Sequence, residues 1–536
     1  VSATSSTPTC RWSFARDVVS YMKSGRVDAV TPQVVDSLIN GAKPTAQAAP
    51  AGGSDKPAGL FQVSRAMQAN LRNTHVNKHI VALALAAAFA LPGAALAADP
   101  KFPLTPRSGS MEFDQLKQQY EIPNFRIGGK YNLDADPQTW RDGGEGGTTL
   151  ESLGAGPLKV AYIAVGTPKR NDKGEITNAV IVNTFYSGDA TNMYNFWYDG
   201  QPGNGFSGGA VVGPGKVIDT NRYYVVFLDA LGLWGASKPS DGLGRKFPAY
   251  SYFDMVQSNY RLLRDHLKIA QVELATGVSM GATQAWVWGV MHSPSGFVKA
   301  VLPIGGTTAS DGADPVGAWT FLLGQAAIES DPKWRATNGN YYHLPVEQHP
   351  KQGLEFMWSR LQLTGFSFPV RTATPWPQIE REVFHWQPKG NQSAAWIARV
   401  KNEDPVDFWY RNDSGFNYNI NADLKRIKAR TLVVHVDTDM WLLVDNARKA
   451  AKQTPGAVFA SFADPTAHYA VFKAPNVLKD TIKAFIDNSF TTSLPGIAGA
   501  SGRRRRAGCG RQAGRVVQVA LTRRPACRAS RLATSS

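Results

Sequence analysis

The pentapeptide Gly277-Val278-Ser279-Met280-Gly281 lies between an apolar strand-like run, residues 272–276, and a helical run of small and apolar residues, 282–292. A strand that turns directly into a helix through one serine needs a backbone too tight for side chains two residues to either side, and glycines occupy both of those positions. The same turn lifts the serine hydroxyl clear of the sheet, where a base can activate it. Trp286, Val287 and Val290 among small residues suit the helix to close packing on a sheet. This single feature predicts a sheet with helices packed against it and a candidate nucleophile, Ser279, at its edge.

The rest of the chain agrees with an α/β fold. Near-continuous apolar runs at 159–165, 179–185, 223–228, 272–276, 300–304, 431–436 and 457–462 predict strands buried on both faces of a mostly parallel central sheet. Helical spacing between them, as in Phe253, Val256, Tyr260, Leu263 and Leu267, predicts helices on both sheet faces. A last helix is expected over 477–490. Residues 309–421 break the rhythm into an irregular stretch that holds seven of the fourteen tryptophans, Trp319, Trp334, Trp358, Trp376, Trp386, Trp396 and Trp409. Inserted there, it is expected to form a lid over the catalytic edge and to shape an apolar pocket. The glycine-rich run 143–147 reads as a flexible loop.

The formal charge of +16 points at nucleic acid only until it is located. Ten arginines and no acid lie in residues 503–536, and nine basic against four acidic residues lie in 1–97, so the body between is close to neutral. The basic run is a tail rather than a face of the fold, and no nucleic-acid partner is expected. Cys10, Cys509 and Cys527 also fall at the ends, which leaves the body without thiol chemistry. Residues 67–97 read as an export signal: Arg72 and Lys78, then an apolar segment 80–90, then Ala95-Leu96-Ala97. That apolar segment is too short for a stable membrane anchor. The expected organisation is an upstream segment 1–66, the signal 67–97, a first core part 98–308, the lid 309–421, a second core part 422–495 and a disordered basic tail 496–536. The expected location is periplasmic or secreted.

A serine nucleophile needs a base and a carboxylate to orient it, in the chain order Ser, acid, His. His468 sits in a polar loop after the last strand, and Asp437 and Asp439 follow the strand 431–436. Asp439 is the first choice, with Asp437 the alternative. Two backbone donors must face the developing oxyanion; Met280, next to the serine, and Tyr186, in the loop after an early strand, are the candidates. His343, His349, His385 and His435 show no metal-ligand spacing, so neither a metal nor another cofactor is expected. His266 and His292 fall near helix ends, where a cationic ring is favoured.

From about residue 178 onward, the chain resembles the homoserine O-acetyltransferase group of α/β-hydrolase-fold proteins. The resemblance is carried by Asn178-Ala179-Val180-Ile181-Val182 running into Tyr186-Ser187-Gly188-Asp189-Ala190, Gly213-Pro214-Gly215-Lys216, Asp219-Thr220-Asn221-Arg222-Tyr223, the Ser279 pentapeptide, Glu329-Ser330-Asp331-Pro332-Lys333-Trp334 and the strand leading to Asp439. It implies an α/β-hydrolase fold with a helical lid, an acyl-enzyme on Ser279 with His468 as base and Asp439 as its partner, and a homodimer formed through the lid. Where the resemblance leads one to expect a substrate-gripping arginine near 358 and a tyrosine near 365, Trp358 and Gly365 stand, with Arg360 close by as a substitute, so Trp358 and Arg360 are the candidate substrate contacts. An apolar wall in place of a planar fork argues against a carboxylate-bearing acceptor.

These readings converge on an exported serine hydrolase acting on a small-molecule ester or similar acyl bond. The alternative is an O-acyltransferase of the homoserine O-acetyltransferase type that uses acetyl-CoA. A non-catalytic binding protein on the same scaffold would be expected to have lost one of the three residues, and all three are present.

Overall fold

Residues whose side chains alternate between two apolar faces make strands that must be covered on both sides, and this accounts for the architecture. In the computed structural model, which describes residues 116–311, 315–373 and 403–488, eight strands form one sheet in the order β1-β2-β6-β3-β7-β8-β9-β10. They are β1 Gln118–Ile122, β2 Leu158–Val165, β3 Ala179–Asn183, β6 Tyr224–Leu228, β7 Val272–Val278, β8 Ala300–Ile304, β9 Arg430–Val436 and β10 Val458–Phe462. Two-residue strands β4 Val212–Gly213 and β5 Ile218–Asp219 pair separately. β1 and β6 run antiparallel to β2, and all pairs from β6 to β10 are parallel.

Val180 and Val182 of β3 and Leu432 and Val434 of β9 join one core, with α1 Ala190–Trp197 and the final helix α11 Lys479–Ile486. Ile181 and Val433 face the other way, onto α2 Tyr252–Arg261, α3 Met280–His292 and α9 Val444–Gln453. Helices therefore cover both faces.

Between β8 and β9 lie α4 Pro315–Glu329, α5 Pro332–Thr337, α6 Lys351–Gly365, α7 Phe368–Ala373 and α8 Pro405–Phe416. The insertion is helical, as the resemblance implies, and only the irregular rhythm read from its residues misleads. Its helices hide their period because α4 carries apolar residues nearly all round, including exposed Trp319, Leu322 and Leu323. The upstream segment, the leader, the tail and Trp376, Trp386 and Trp396 lie outside the described residues.

Other boundaries also shift. The predicted helix 253–267 ends as an α-helix at Arg261 and continues as one π turn, Leu262–His266. The predicted last helix is α10 Ala474–Val477 and α11, broken at Leu478. The glycine run 143–147 is a packed clasp rather than a flexible loop: Arg126 bridges Gly143, and Lys130 bridges Glu145. A Cβ on Gly144 would sit 2.4 Å from the Gly129 carbonyl carbon, so the two chains touch backbone to backbone. His292 is buried and carries no helix-end charge, because burial pushes it down to about 3. Among the described residues, no helix is long and apolar enough to cross a membrane.

Candidate active site

In a parallel sheet all strands end at one edge, and the loops that leave that edge meet above it. Tyr186 follows β3, Ser279 follows β7, Asp439 follows β9 and His468 follows β10. The register places Asn183 opposite Gly277, Val278 opposite Ile304, and Val436 opposite Phe462. Four loops distant in sequence are thereby brought to one place.

Ser279 sits at the strand-to-helix turn with φ 55° and ψ −121°, a conformation that L-residues rarely adopt. The two glycines make the turn fit. A Cβ on Gly281 would lie 2.4 Å from the Asn183 carbonyl oxygen, and one on Gly277 would lie 2.7 Å from the Gly281 carbonyl carbon. Asn183 is itself fixed, donating to the Thr276 carbonyl at 2.9 Å and accepting from Trp288 Nε1 at 3.0 Å. A Gly281→Val substitution is expected to cost about 3 kcal/mol or more, since backbone cannot yield as a side chain can. Urea unfolding checks this; a wild-type midpoint would contradict the packing described.

Ser279 Oγ lies 2.8 Å from His468 Nε2, and His468 Nδ1 lies 2.7 Å from Asp439 Oδ2. All three residues are buried. The other Asp439 oxygen accepts the Trp441 and Leu442 N–H groups at 2.8 and 3.0 Å. Burial alone would push this carboxyl up. The adjoining His468 ring, its hydrogen bond, His435 and the Leu442 N–H outweigh burial and hold it below the usual carboxylate range. Asp437 points elsewhere and pairs with Arg448 at 2.9 Å. Of the two acids left open by the sequence, Asp439 is the one in contact with His468.

The backbone N–H groups of Tyr186 and Met280 make no backbone hydrogen bond among the described residues. The Tyr186 side chain forms part of the wall, and its hydroxyl donates to Asn412 Oδ1 at 3.0 Å. A cavity of about 340 Å³ opens above Ser279 and His468, lined by Phe185, Tyr186, Phe196, Phe206, Trp358, Leu361, Trp441, Tyr469 and Phe472, with Ser187 and Asn192 as its other polar residues. Among the described residues, no lysine, arginine or carboxylate lines it.

Trp358 is in that wall, and its Nε1 donates to Glu403 at 2.6 Å. Arg360, the other candidate substrate contact, is not among the described residues that line the cavity. Its guanidinium nitrogens are buried and interact electrostatically with Tyr186, and burial pushes the group down to about 10. Gly365 leaves room for the Tyr469 ring, whose Cε2 would be 2.5 Å from a Cβ there. The expectation that the lid tryptophans shape the pocket holds for Trp358 alone among those described. Trp334 and Trp409 pack on the Arg245 guanidinium, and Trp319 is exposed. The aromatic wall comes mostly from the core loops; of its residues, Phe185 and Tyr469 stand beside the candidates Tyr186 and His468 in the chain. Among the described residues no group of three His, Cys, Asp or Glu could hold a metal ion.

No known protein-family profile matches the chain. It is 34% identical over 214 residues to a homoserine O-acetyltransferase of Carboxydothermus hydrogenoformans, covering 37% of this chain and 50% of that protein. It is likewise 34% identical over 228 residues to the homoserine O-acetyltransferase of Rhodospirillum rubrum, covering 41% and 54%. Among solved structures it superposes on an acetylester hydrolase from Corynebacterium glutamicum with a TM-score of 0.55 at 19% identity, over 70% of this chain and 98% of that one. The chain has the α/β-hydrolase fold. It is similar in sequence to homoserine O-acetyltransferases and spans about half the length of the two it matches. A homoserine O-acetyltransferase from Bacillus anthracis superposes with a TM-score of 0.53 at 18% identity, over 69% of this chain and 97% of that one.

Proposed function

We propose that the protein is an exported serine hydrolase that cleaves an uncharged ester through an acyl-enzyme on Ser279. The reading is carried by one observation: the Ser279–His468–Asp439 contacts lie on the floor of an aromatic cavity that, among the described residues, no lysine, arginine or carboxylate lines. Ser279 Oγ attacks the ester carbonyl carbon while its proton passes to His468 Nε2, and the carbonyl electron pair moves onto oxygen. Tyr186 and Met280 N–H groups receive that oxyanion, a contribution of about 3 kcal/mol per donor. Collapse breaks the bond to the alcohol, which leaves with the proton from His468. A water deprotonated by His468 then attacks the acyl carbon, and the acid is released as Oγ regains its proton. The ionised Asp439 accepts from His468 Nδ1 and stabilises the imidazolium formed in each half.

Three features favour water as the acceptor. Trp358 offers an apolar wall where a guanidinium would hold an acceptor's carboxylate, and Arg360 stands outside the cavity. Residues 67–97 support export, hence a periplasmic or secreted enzyme, where esters and water are available and acetyl-CoA, a cytoplasmic metabolite, is scarce. The cavity has room for a small acyl ester. The 34% identity to homoserine O-acetyltransferases favours the alternative, acyl transfer from acetyl-CoA to an alcohol acceptor under the lid. A homodimer through the lid belongs to that likeness.

The two readings separate in one assay. Purified protein is expected to release p-nitrophenol from its acetate ester, and to show no CoA release that depends on homoserine. Homoserine-dependent CoA release exceeding ester turnover would overturn hydrolysis in favour of transfer.

A further inference from the structure

Outside the cavity, a buried charge cluster lies directly behind the loop that carries Tyr186. Lys117, one residue before β1, reaches Asp189 Oδ2 at 2.9 Å and Asp229 Oδ2 at 2.8 Å. Both carboxylates are buried, and the lysine side chain is 14% exposed. Asp189 caps α1, accepting the Asn192 N–H at 2.8 Å, and stands three residues after Tyr186. Asp229 ends the β6 turn and accepts the Ala190 N–H at 2.5 Å, while its carbonyl takes Asn259 Nδ2 at 2.9 Å. The turn between is tight: the Gly188 N–H donates to the Phe185 carbonyl at 3.2 Å.

The slot that admits the lysine is built by an absent side chain. A Cβ on Gly235 would lie 2.3 Å from Asp229 Oδ2, 2.5 Å from Lys117 Cε and 2.6 Å from Lys117 Nζ. Two buried carboxylates this close repel each other, and one ammonium between them turns repulsion into a brace. Burial works against the lysine charge, but Asp229 and Asp189 outweigh it and hold the ammonium above its ordinary range.

We propose that Lys117 is a positioning residue for acyl chemistry: seated over Gly235 between Asp189 and Asp229, it fixes the Tyr186–Asp189 loop so that the Tyr186 N–H faces the oxyanion. This rests on the reading of Ser279 as nucleophile and Tyr186 as donor. It makes the strap before β1, far from Ser279 in sequence, part of the machinery that stabilises the transition state. The brace acts on an interaction formed after attack, so ground-state binding should be spared.

The test uses the full chain with p-nitrophenyl acetate, and with a fluorophosphonate that labels an activated serine. Lys117→Met alone leaves an uncompensated buried carboxylate and is open to misfolding, so Lys117→Met/Asp229→Asn, which removes both charges, is measured beside it. Gly235→Ala fills the slot and leaves every charge in place. The expected result is a fall in kcat and in the phosphonylation rate of about 10- to 100-fold, short of the full loss of a donor, with KM within about twofold. The double variant should keep a melting temperature near wild type. Wild-type kcat per folded enzyme in the double variant and in Gly235→Ala, whatever their melting temperatures, would make Lys117 a structural brace only and overturn the proposal. A wild-type protein that is not labelled at Ser279 would instead overturn the reading of the site, and the brace with it.

Discussion

Ester turnover by a Ser279→Ala variant is expected to fall by about 10⁵- to 10⁶-fold, close to the rate left when a nucleophile and its base are removed together. Ser279 Oγ is the group to which His468 Nε2 is hydrogen-bonded, at 2.8 Å, and no cysteine lies among the described residues to replace it. The loss should appear in kcat. The melting temperature should not fall, because alanine removes only an oxygen and the turn is held by Gly277 and Gly281 against Asn183. Turnover within tenfold of wild type, measured on protein free of contaminating esterase, would remove Ser279 from the chemistry.

The second large effect distinguishes two aspartates two residues apart. Asp439→Asn is expected to lower kcat by about 10⁴-fold, because an amide can donate to His468 Nδ1 and so hold the ring in the tautomer that cannot take the serine proton. Asp437→Asn is expected to change kcat by less than threefold, because Asp437 contacts Arg448 rather than His468 and a partly exposed ion pair is worth about 1 kcal/mol. The difference rests on geometry: Asp439 Oδ2 is 2.7 Å from the imidazole, whereas Asp437 faces Arg448. Steady-state kinetics on the two variants side by side checks it. Equal losses would mean that the loop after β9 rearranges in solution.

Much of this arrangement is legible in the chain because its signals are local. The pentapeptide around Ser279 carries its own steric reason, two glycines that must cross the end of β3, and near-continuous apolar runs mark the strands buried on both faces. Chain order alone anticipates that a carboxylate after β9 and a histidine after β10 meet the serine, since parallel strands end at one edge. Asp437 and Asp439 could not be told apart without side-chain direction. β1 escaped notice because Gln118, Gln119 and Glu121 are exposed, and an edge strand paired on one side needs no apolar run. The lid is helical as the resemblance implies, but its helices show no clear period in the sequence because aromatic residues occupy several faces at once, which blurs a period of 3.6. The aromatic wall was illegible for a different reason: Phe185, Phe206, Trp441 and Phe472 come from four separate loops and become neighbours only in the fold. Lys117 is the extreme case, since its two carboxylate partners lie 72 and 112 residues away in the chain.

The roles separate cleanly along the structure. The sheet edge sets which residues meet, the glycines set how closely, and the aromatic cavity sets what enters. A Phe or Trp wall gains most from an apolar acyl group, and a carboxylate placed in it would lose its hydration without a cationic partner among the described lining residues.

The most direct test is to mix the protein with excess p-nitrophenyl acetate, follow the first turnover, and quench for peptide mass analysis. The account predicts a burst of about one p-nitrophenol per active site when deacylation limits turnover. It also predicts an acetyl group on the peptide containing Ser279, absent in Ser279→Ala. Turnover with no acetyl adduct on that peptide, or with the adduct on another residue, would contradict it.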